Sequence, residues 1–411
     1  MSLPLRARLL PAILALAFLM PASLGARDFG LLLNQRLWFG NASGSTDADY
    51  WAVLLPRFSA LVGDYGDLFL SASLTAAREN EEWNVVPELL RNEFSWRLGR
   101  TDLRAGRMVY ADPMGLVAVG LFDGVHLSYH TMMGTFGIGL WYTGLLYSRR
   151  ARISMTPEDA AAMNEEVDWG DFFNTYFASR RMVTALHWEH PSFEELLRLS
   201  AALIIQTDLN GRSSAYNSQY LITNASMPFR QFIFEFGSAI ELAQSPGGDD
   251  ANFQTAFAAD VGLHWMPPTP FHSMLSFTGR FTSGKAGSGS RSAFTPITSL
   301  LHGSILRAEI PGLSVLSLGY TARLRRDFSA GLALSHFVLS DAYTYRAYPL
   351  NGQRGSGYFL GTEFFGHLIW SPVSDISLNF GAGAFLPSLG NAAPNADPLW
   401  RVKLAATMAL R

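Results

Sequence analysis

The chain has 411 residues, 48% of them hydrophobic and only 16% charged, with 37 Gly and 29 Phe. A formal net charge of −3 marks no nucleic-acid partner, and no basic patch supports one. Without cysteine, an exported fold of this size closes without disulfides and carries no lipoprotein thiol.

The N-terminus reads MSLPLRARLLPAILALAFLMPASLGA. Arg6 and Arg8 precede an apolar run from Leu9 to Met20, and small residues follow. This predicts a signal peptide over 1–25, cut after Gly25 or Ala26, with one mature domain over 27–411. No later apolar run reaches the roughly 18 residues that a membrane helix needs.

From there the pattern has period two, the signature of strands. Leu68, Leu70, Ala72 and Leu74 alternate with Phe69, Ser71, Ser73 and Thr75. Val125, Leu127 and Tyr129 alternate with His126, Ser128 and His130. In RQFIFEFGSAIELA (230–243), Phe232, Phe234, Phe236, Ile240 and Leu242 share one parity, and Glu235 and Glu241 take the other. The last segment sets Trp400, Val402, Leu404, Ala406, Met408 and Leu410 against Arg401, Lys403 and Thr407.

Short turns at 63–66, 99–102, 190–193, 226–229, 266–270, 323–327 and 371–374 are separated by longer loops at 41–49, 78–88, 111–121, 144–177, 208–214, 244–251, 283–312, 341–355 and 387–397. That alternation predicts an all-β fold, a transmembrane antiparallel up-and-down β-barrel with long extracellular loops. Only helices and closed barrels pair every backbone group in lipid. Nineteen segments alternate; assigning HGSILRAEI (302–310) to its loop leaves an even eighteen, with sixteen as the alternative. The segment near 215–225 is the weakest. Trp38, Tyr50, Trp51, Tyr129, Tyr142, Trp188, Trp265, Trp370 and Trp400 fall near strand ends, as interfacial girdles require.

The stretch FSWRLGRTDLRAGRMVYADPMGLVAVGLFDGVHLSY (94–129) resembles the strand–turn–strand–loop–strand unit of the alginate-export family and related substrate-specific porins. The residues that carry the resemblance are Gly106-Arg107 and Asp123-Gly124-Val125. It implies an eighteen-stranded channel with an Arg-rich lumen for an anionic polysaccharide. The inward charges here are mixed in sign, and in this the chain departs from that pattern.

Parity nominates pore-lining residues: Arg97, Arg104, His126, Arg181, His187, Arg198, Glu235, Glu241, Asp260, His264, Arg280, Arg307, Arg323, Glu363, His367 and Arg401. Opposed arginines and acids would set a transverse field that selects ions. The longest insertion, 144–177, offers constriction residues Arg149, Arg150, Arg152, Glu158, Asp159, Glu165 and Glu166. Thr156 reads as an N-cap before Pro157, Glu158 and Asp159, so a short helix there could enter the lumen.

No HExxH, GxSxG, P-loop or CxxC motif occurs, so no enzyme, metal or cofactor is predicted. The sequence reads as a porin-like outer-membrane channel for small hydrophilic or anionic solutes. Its partners would be outer-membrane lipid and the barrel-insertion machinery. The alternatives are a sealed barrel displaying loops as an adhesin or surface antigen, or a hydrophobic-substrate transporter.

Overall fold

The computed structural model describes residues 27–41, 47–79, 82–193, 196–211, 215–244, 253–285, 293–341, 350 and 357–410; the expected signal peptide lies outside them. The elements in chain order begin with β1 (Arg27–Gly40), β2 (Asp47–Val62), β3 (Gly66–Glu79), β4 (Glu82–Leu98), β5 (Thr101–Ala111), β6 (Val119–Thr131) and β7 (Gly134–Tyr142). Three short helices follow, α1 (Ser148–Ala151), α2 (Pro157–Asn164) and α3 (Phe172–Thr175). Then come β8 (Arg181–Phe193), β9 (Leu197–Asp208), β10 (Asn217–Phe229), β11 (Phe232–Gln244), β12 (Phe253–Trp265) and β13 (Met274–Thr282). A small hairpin, β14 (Leu301–His302) and β15 (Ala308–Glu309), precedes β16 (Leu313–Arg325), β17 (Phe328–Leu339), β18 (Phe359–Val373), β19 (Ile376–Leu386) and β20 (Leu399–Leu410).

Eighteen strands form one antiparallel sheet, and β14 and β15 pair only with each other. The sheet closes because β1 pairs with both β2 and β20, Leu31 facing Leu410 and Gly40 facing Arg401. The segment 302–310 therefore belongs to a loop, and the even count of eighteen stands. The strands are 9 to 17 residues long, at or beyond the roughly 9–11 that cross a bilayer at a tilt. No described helix is long and apolar enough to cross a membrane.

Several boundaries differ from expectation. β3 and β4 run on into the expected 78–88 loop, and β8 and β10 run through the expected turns at 190–193 and 226–229. A short turn between Thr131 and Gly134, missed in the sequence, joins β6 to β7. Polar letters misled at these places, because a strand that rises beyond the hydrocarbon no longer needs an apolar face. The segment thought weakest forms β10, paired along its whole length with β11 and from Ser218 to Ser226 with β9.

Side-chain parity separates two environments. On β11, Phe236 is 53% and Ile240 50% exposed, whereas Glu241 is fully buried. The first set faces outward and the second faces the lumen. Tyr129, Trp265 and Trp370 are exposed on the outer face, as girdle residues would be. Trp38 and Trp51 are not: register places them inward, opposite Lys403 and Arg36.

Arg107 and Asp123 break the parity rule for charges. They lie directly opposite each other on β5 and β6, on the outward parity of Val109 and Val125. The exception is neutralised locally. Arg107 Nε and Nη2 each reach Asp123 at 2.8 Å, and the guanidinium also donates to the carbonyls of Leu89 (2.5 Å) and Leu145 (2.8 Å). Gly106 and Gly124 face each other beside this pair. Gly106 sits at φ +104, and a Cβ there would strike the carbonyl of Asn92, so only glycine fits. The Gly-Arg and Asp-Gly-Val pieces of the sequence resemblance thus form one cross-strand unit.

Candidate functional site

Loops narrow the lumen. The loops 112–118 and 143–180 and the segment 293–300 turn inward and pack on the inner face of the wall from β5 to β12. Leu116, Val117, Leu146, Ile153, Phe294 and Ile297 are buried against Tyr110, Phe122, Trp141, Val183, Ile204 and Tyr220. The loops are also stitched to one another. Ile297 N donates to Val117 O (2.8 Å), Val119 N to Thr298 Oγ1 (2.8 Å) and Ser299 N to Arg152 O (2.7 Å).

Four carboxylates bolt these loops in place. Asp112 accepts the backbone N–H groups of Met114, Leu116, Val117 and Ala118 at 2.7–3.1 Å. Glu363 does the same for Ser304, Ile305 and Leu306 at 2.6–3.1 Å. Glu241 accepts from Tyr216 Oη and Thr295 N, each at 2.7 Å. Asp159, at the third position of α2, closes the capping box with Thr156. It accepts Ser179 Oγ at 2.6 Å and pairs with Arg181, both ionic side chains being fully buried. Each contact satisfies a donor that would otherwise be stranded away from water.

Arg181, Glu241, Glu363 and Asp159 therefore take inward positions but are shut off from the lumen by the loops they hold. Arg181 is ion-paired with Asp159 and Asp208, and Glu241 and Glu363 are held by hydroxyl and backbone N–H donors. Parity could show the side they face, but not the loop that would cover them.

Loop residues also cover parts of the wall formed by β18–β20 and β1–β4: Ile305, Leu306 and Ala308 are buried with Leu360, Phe385 and Leu399, and Val167 and Tyr176 with Val86. Register places Arg36, Arg57, Arg91, Arg401 and Lys403 on its inner face, with Arg104 next to it on β5. Arg401 and Lys403 lie toward the long-loop end, Arg36 and Arg91 near mid-height, and Arg57 and Arg104 toward the short turns. Arg91 pairs with Glu93 at 2.8 Å. Arg36, Arg57, Arg401 and Lys403 make no ion pair among the described residues. The Trp38 ring lies 4.3 Å from Arg401, 5.5 Å from Arg307 and 6.0 Å from Lys403, a crowding of cations about one indole.

Across the lumen, Asp260 is bound bidentately by Arg280, with Nε at 2.7 Å. Arg280 Nη1 also meets His302 Nε2 at 3.2 Å. Burial and the adjacent guanidinium push the His302 imidazole down to about 4. Glu235 reaches His264 at 3.4 Å. Glu235, Asp260, Arg280 and His302 line a cavity of about 510 Å³ that Pro113, Met114 and Gly115 of the 112–118 loop also border.

The remaining nominated residues fall into smaller groups. Arg104 meets His126 Nδ1 at 3.3 Å, and His126 stacks on His187 with ring centroids 4.9 Å apart. Arg97 pairs with Asp102 at the short-turn end. Arg198 and Arg323 also lie near that end, and His367 projects inward opposite Gly331. In the 143–180 loop, Arg150 pairs with Glu88 (3.2 Å) and Arg149 with Glu166 (3.8 Å), while Arg152, Glu158 and Glu165 are exposed. Arg36, Arg57, Arg91, Lys403 and the anchor Asp112 were not nominated. Arg36 and Lys403 could have been, since they share parity with Trp38 and Arg401. Asp112 sits in a loop, where no period marks it.

Barrel, strand count and inward loops together define the fold of an outer-membrane-type eighteen-stranded β-barrel. No family model matches the sequence, and no curated protein matches it. Solved structures do. The outer membrane protein OpdK of Pseudomonas aeruginosa aligns with TM-score 0.62 at 9% identity, over 94% of this chain and 98% of its own. OccK2 (OpdF) of the same organism, in complex with glucuronate, gives 0.60 at 11% identity over 93% and 98%. OprD, also from P. aeruginosa, gives 0.57 at 13% identity over 93% and 95%. At such identities the likeness is one of fold.

Proposed function

We propose that the protein is an outer-membrane, porin-like channel that passes small hydrophilic anions. The observation that carries this reading is a run of cations along the lumen wall. Arginines and a lysine on β20, β1, β2, β4 and β5 line it from the long-loop end to the short-turn end. Successive unpaired cations lower the barrier for an anion at each step without trapping it at one point. OccK2 in complex with glucuronate and OpdK with vanillate, both small carboxylates, support the same solute class. Under this reading the long loops are extracellular, the short turns periplasmic, and the leading segment a signal peptide. Membrane lipid and the barrel-insertion machinery are then its partners. The finer kinship with alginate-export channels rests on residues 94–129 alone, and the mixed inward charge favours a small anion over a polyanion.

The test is single-channel recording of the refolded protein in a planar bilayer under a salt gradient. Steady openings with a reversal potential on the anion-selective side are expected. A folded barrel with no conductance would overturn the proposal and return the sealed-barrel adhesin.

A further inference from the structure

Between β4 and the chain that follows β7, the barrel wall is closed without a backbone ladder. β4 pairs with β3 from Glu82 to Trp96. With β5 it pairs only from Asn92, opposite Arg107, to Leu98. Beyond Arg107, β5 pairs with β6 alone, and Met108, Tyr110 and Phe122 are buried in the interior. β6 in turn pairs with β7 only as far as Asp123, opposite Tyr142. The tip of the β5–β6 hairpin thus leaves the wall. Gly120, opposite Tyr110 at φ +143, supplies a backbone conformation there that residues with a Cβ rarely adopt.

The vacated place is taken by residues 143–148, which continue beside 176–181. Thr143 N donates to Arg181 O (3.1 Å), Ala178 N to Leu146 O (2.9 Å) and Ser148 N to Tyr176 O (2.9 Å). Among the described residues, no backbone hydrogen bond joins this chain to β4. Side chains close the seam instead. The Arg107 guanidinium spans it, from Leu89 O (2.5 Å) to Leu145 O (2.8 Å). Tyr176 Oη donates to Pro87 O (3.0 Å), and Arg150 pairs with Glu88 (3.2 Å). Pro87 brings a carbonyl to this edge but no N–H, so it leaves no donor unpaired there. A strand edge against lipid is ordinarily ladder-paired, because each unmatched backbone group is costly. Here side-chain contacts stand in for the ladder, and they can part without unpairing a strand.

The seam is apolar on both sides. Val85, Leu89 and Leu145 are exposed on its outside. Within it Val86, Val167 and Tyr176 are buried, and Tyr147, Phe172 and Phe177 pack against them. Val86, Tyr147 and Val167 also line a cavity of about 500 Å³ between the 143–180 loop and the inner wall of β2–β4. An apolar path therefore runs from the outer surface, through an aromatic layer, to a space inside the barrel. Such a path suits a flexible hydrocarbon tail, and a cavity of this size admits one chain and not two.

We propose that the seam between β4 and residues 143–147 is a lateral port, through which a single-chain amphiphile passes tail-first between the outer leaflet and this cavity. The proposal rests on the barrel standing in an outer membrane and is independent of anion passage, so the two can fail separately.

The experiment places the full chain in lipid vesicles with a lysophospholipid that carries a photoreactive diazirine at the end of its tail. Adducts are mapped by mass spectrometry after illumination. They are expected at Val86, Tyr147 and Val167 as well as on the outward residues. The chain has no cysteine, so L89C/L145C can be joined across the seam by a short bifunctional thiol reagent. Joining should lower the interior labelling several-fold relative to the same variant capped with a monofunctional reagent. A two-chain phospholipid with the same head and the same labelled tail should mark outward residues only. Three results would each overturn the port: no interior adducts, interior adducts undiminished by the link, or equal interior labelling by the two-chain lipid. A silent bilayer with link-sensitive labelling would overturn the channel reading and leave the port standing.

Discussion

The two halves of the inner wall solve opposite problems. From β5 to β12 the inward residues are Tyr110, Phe122, Trp141, Val183, Ile204 and Ile222, and loops cover them as one core layer covers another. From β18 round to β4 the inward residues include Arg36, Arg57, Arg91, Arg401 and Lys403, and loop residues pack on this wall in smaller clusters at Leu360, Phe385 and Leu399 and at Val86. The larger apolar cluster thus lies on the first wall, and the cations without an ion-pair partner among the described residues gather on the second. Narrowness and charge selection are assigned to different strands, so they should be separable by mutation.

The largest effect is expected where the covered side is bolted. Asp159→Ala leaves Arg181 buried and short of its main partner, which should cost about 3–5 kcal/mol. Thermal melts in detergent should show it, and single-channel records should show larger, noisier openings as the loop loosens. An unchanged melt would break the claim that this pair holds the constriction. Glu241→Ala strands Tyr216 Oη and Thr295 N, for a smaller loss of about 1–3 kcal/mol. Hydrogen exchange near Thr295 should rise while the opposite wall stays protected.

On the second wall, the double variant Arg36→Glu/Arg401→Glu should leave the melt nearly unchanged. It should move the reversal potential several-fold in permeability ratio toward cations. If it instead unfolded the protein, the contrast between structural and selective walls would fail. The smallest effect concerns His302. Its folded pKa, near 4, lies below the unfolded value near 6.5, so it favours the folded state above pH 6.5. That contribution falls away as the pH drops toward 4, by at most about 2 kcal/mol at pH 5. Exchange at Leu301 and Ala308 should quicken between pH 6.5 and 4, and His302→Gln should abolish that dependence.

The barrel was legible because lipid enforces a strict rule. An outward charge is costly, so period two survives in each crossing, and even the hairpin at 301–309 could be set aside by parity. Three things were not legible. Trp38 and Trp51 sit near strand ends and resemble girdle residues in sequence, yet a single step of parity turns them inward. Arg181 and Glu241 carry the inward parity of lumen residues, but only the folded loops show that they are covered. Asp112 acts through four backbone N–H groups within six residues, a geometry that leaves no trace in composition.

The Arg107–Asp123 bridge on the outer wall has a consequence for biogenesis. Either ion alone on that face would oppose entry into hydrocarbon, by about 2–4 kcal/mol for an arginine at mid-depth. Zipping the two strands together before that part of the wall meets lipid would spare this cost, so β5 and β6 are expected to enter as a paired hairpin. Removing Asp123 alone should slow folding into lipid vesicles more than replacing both residues with apolar ones, and a double variant no faster than the single would rule that order of assembly out.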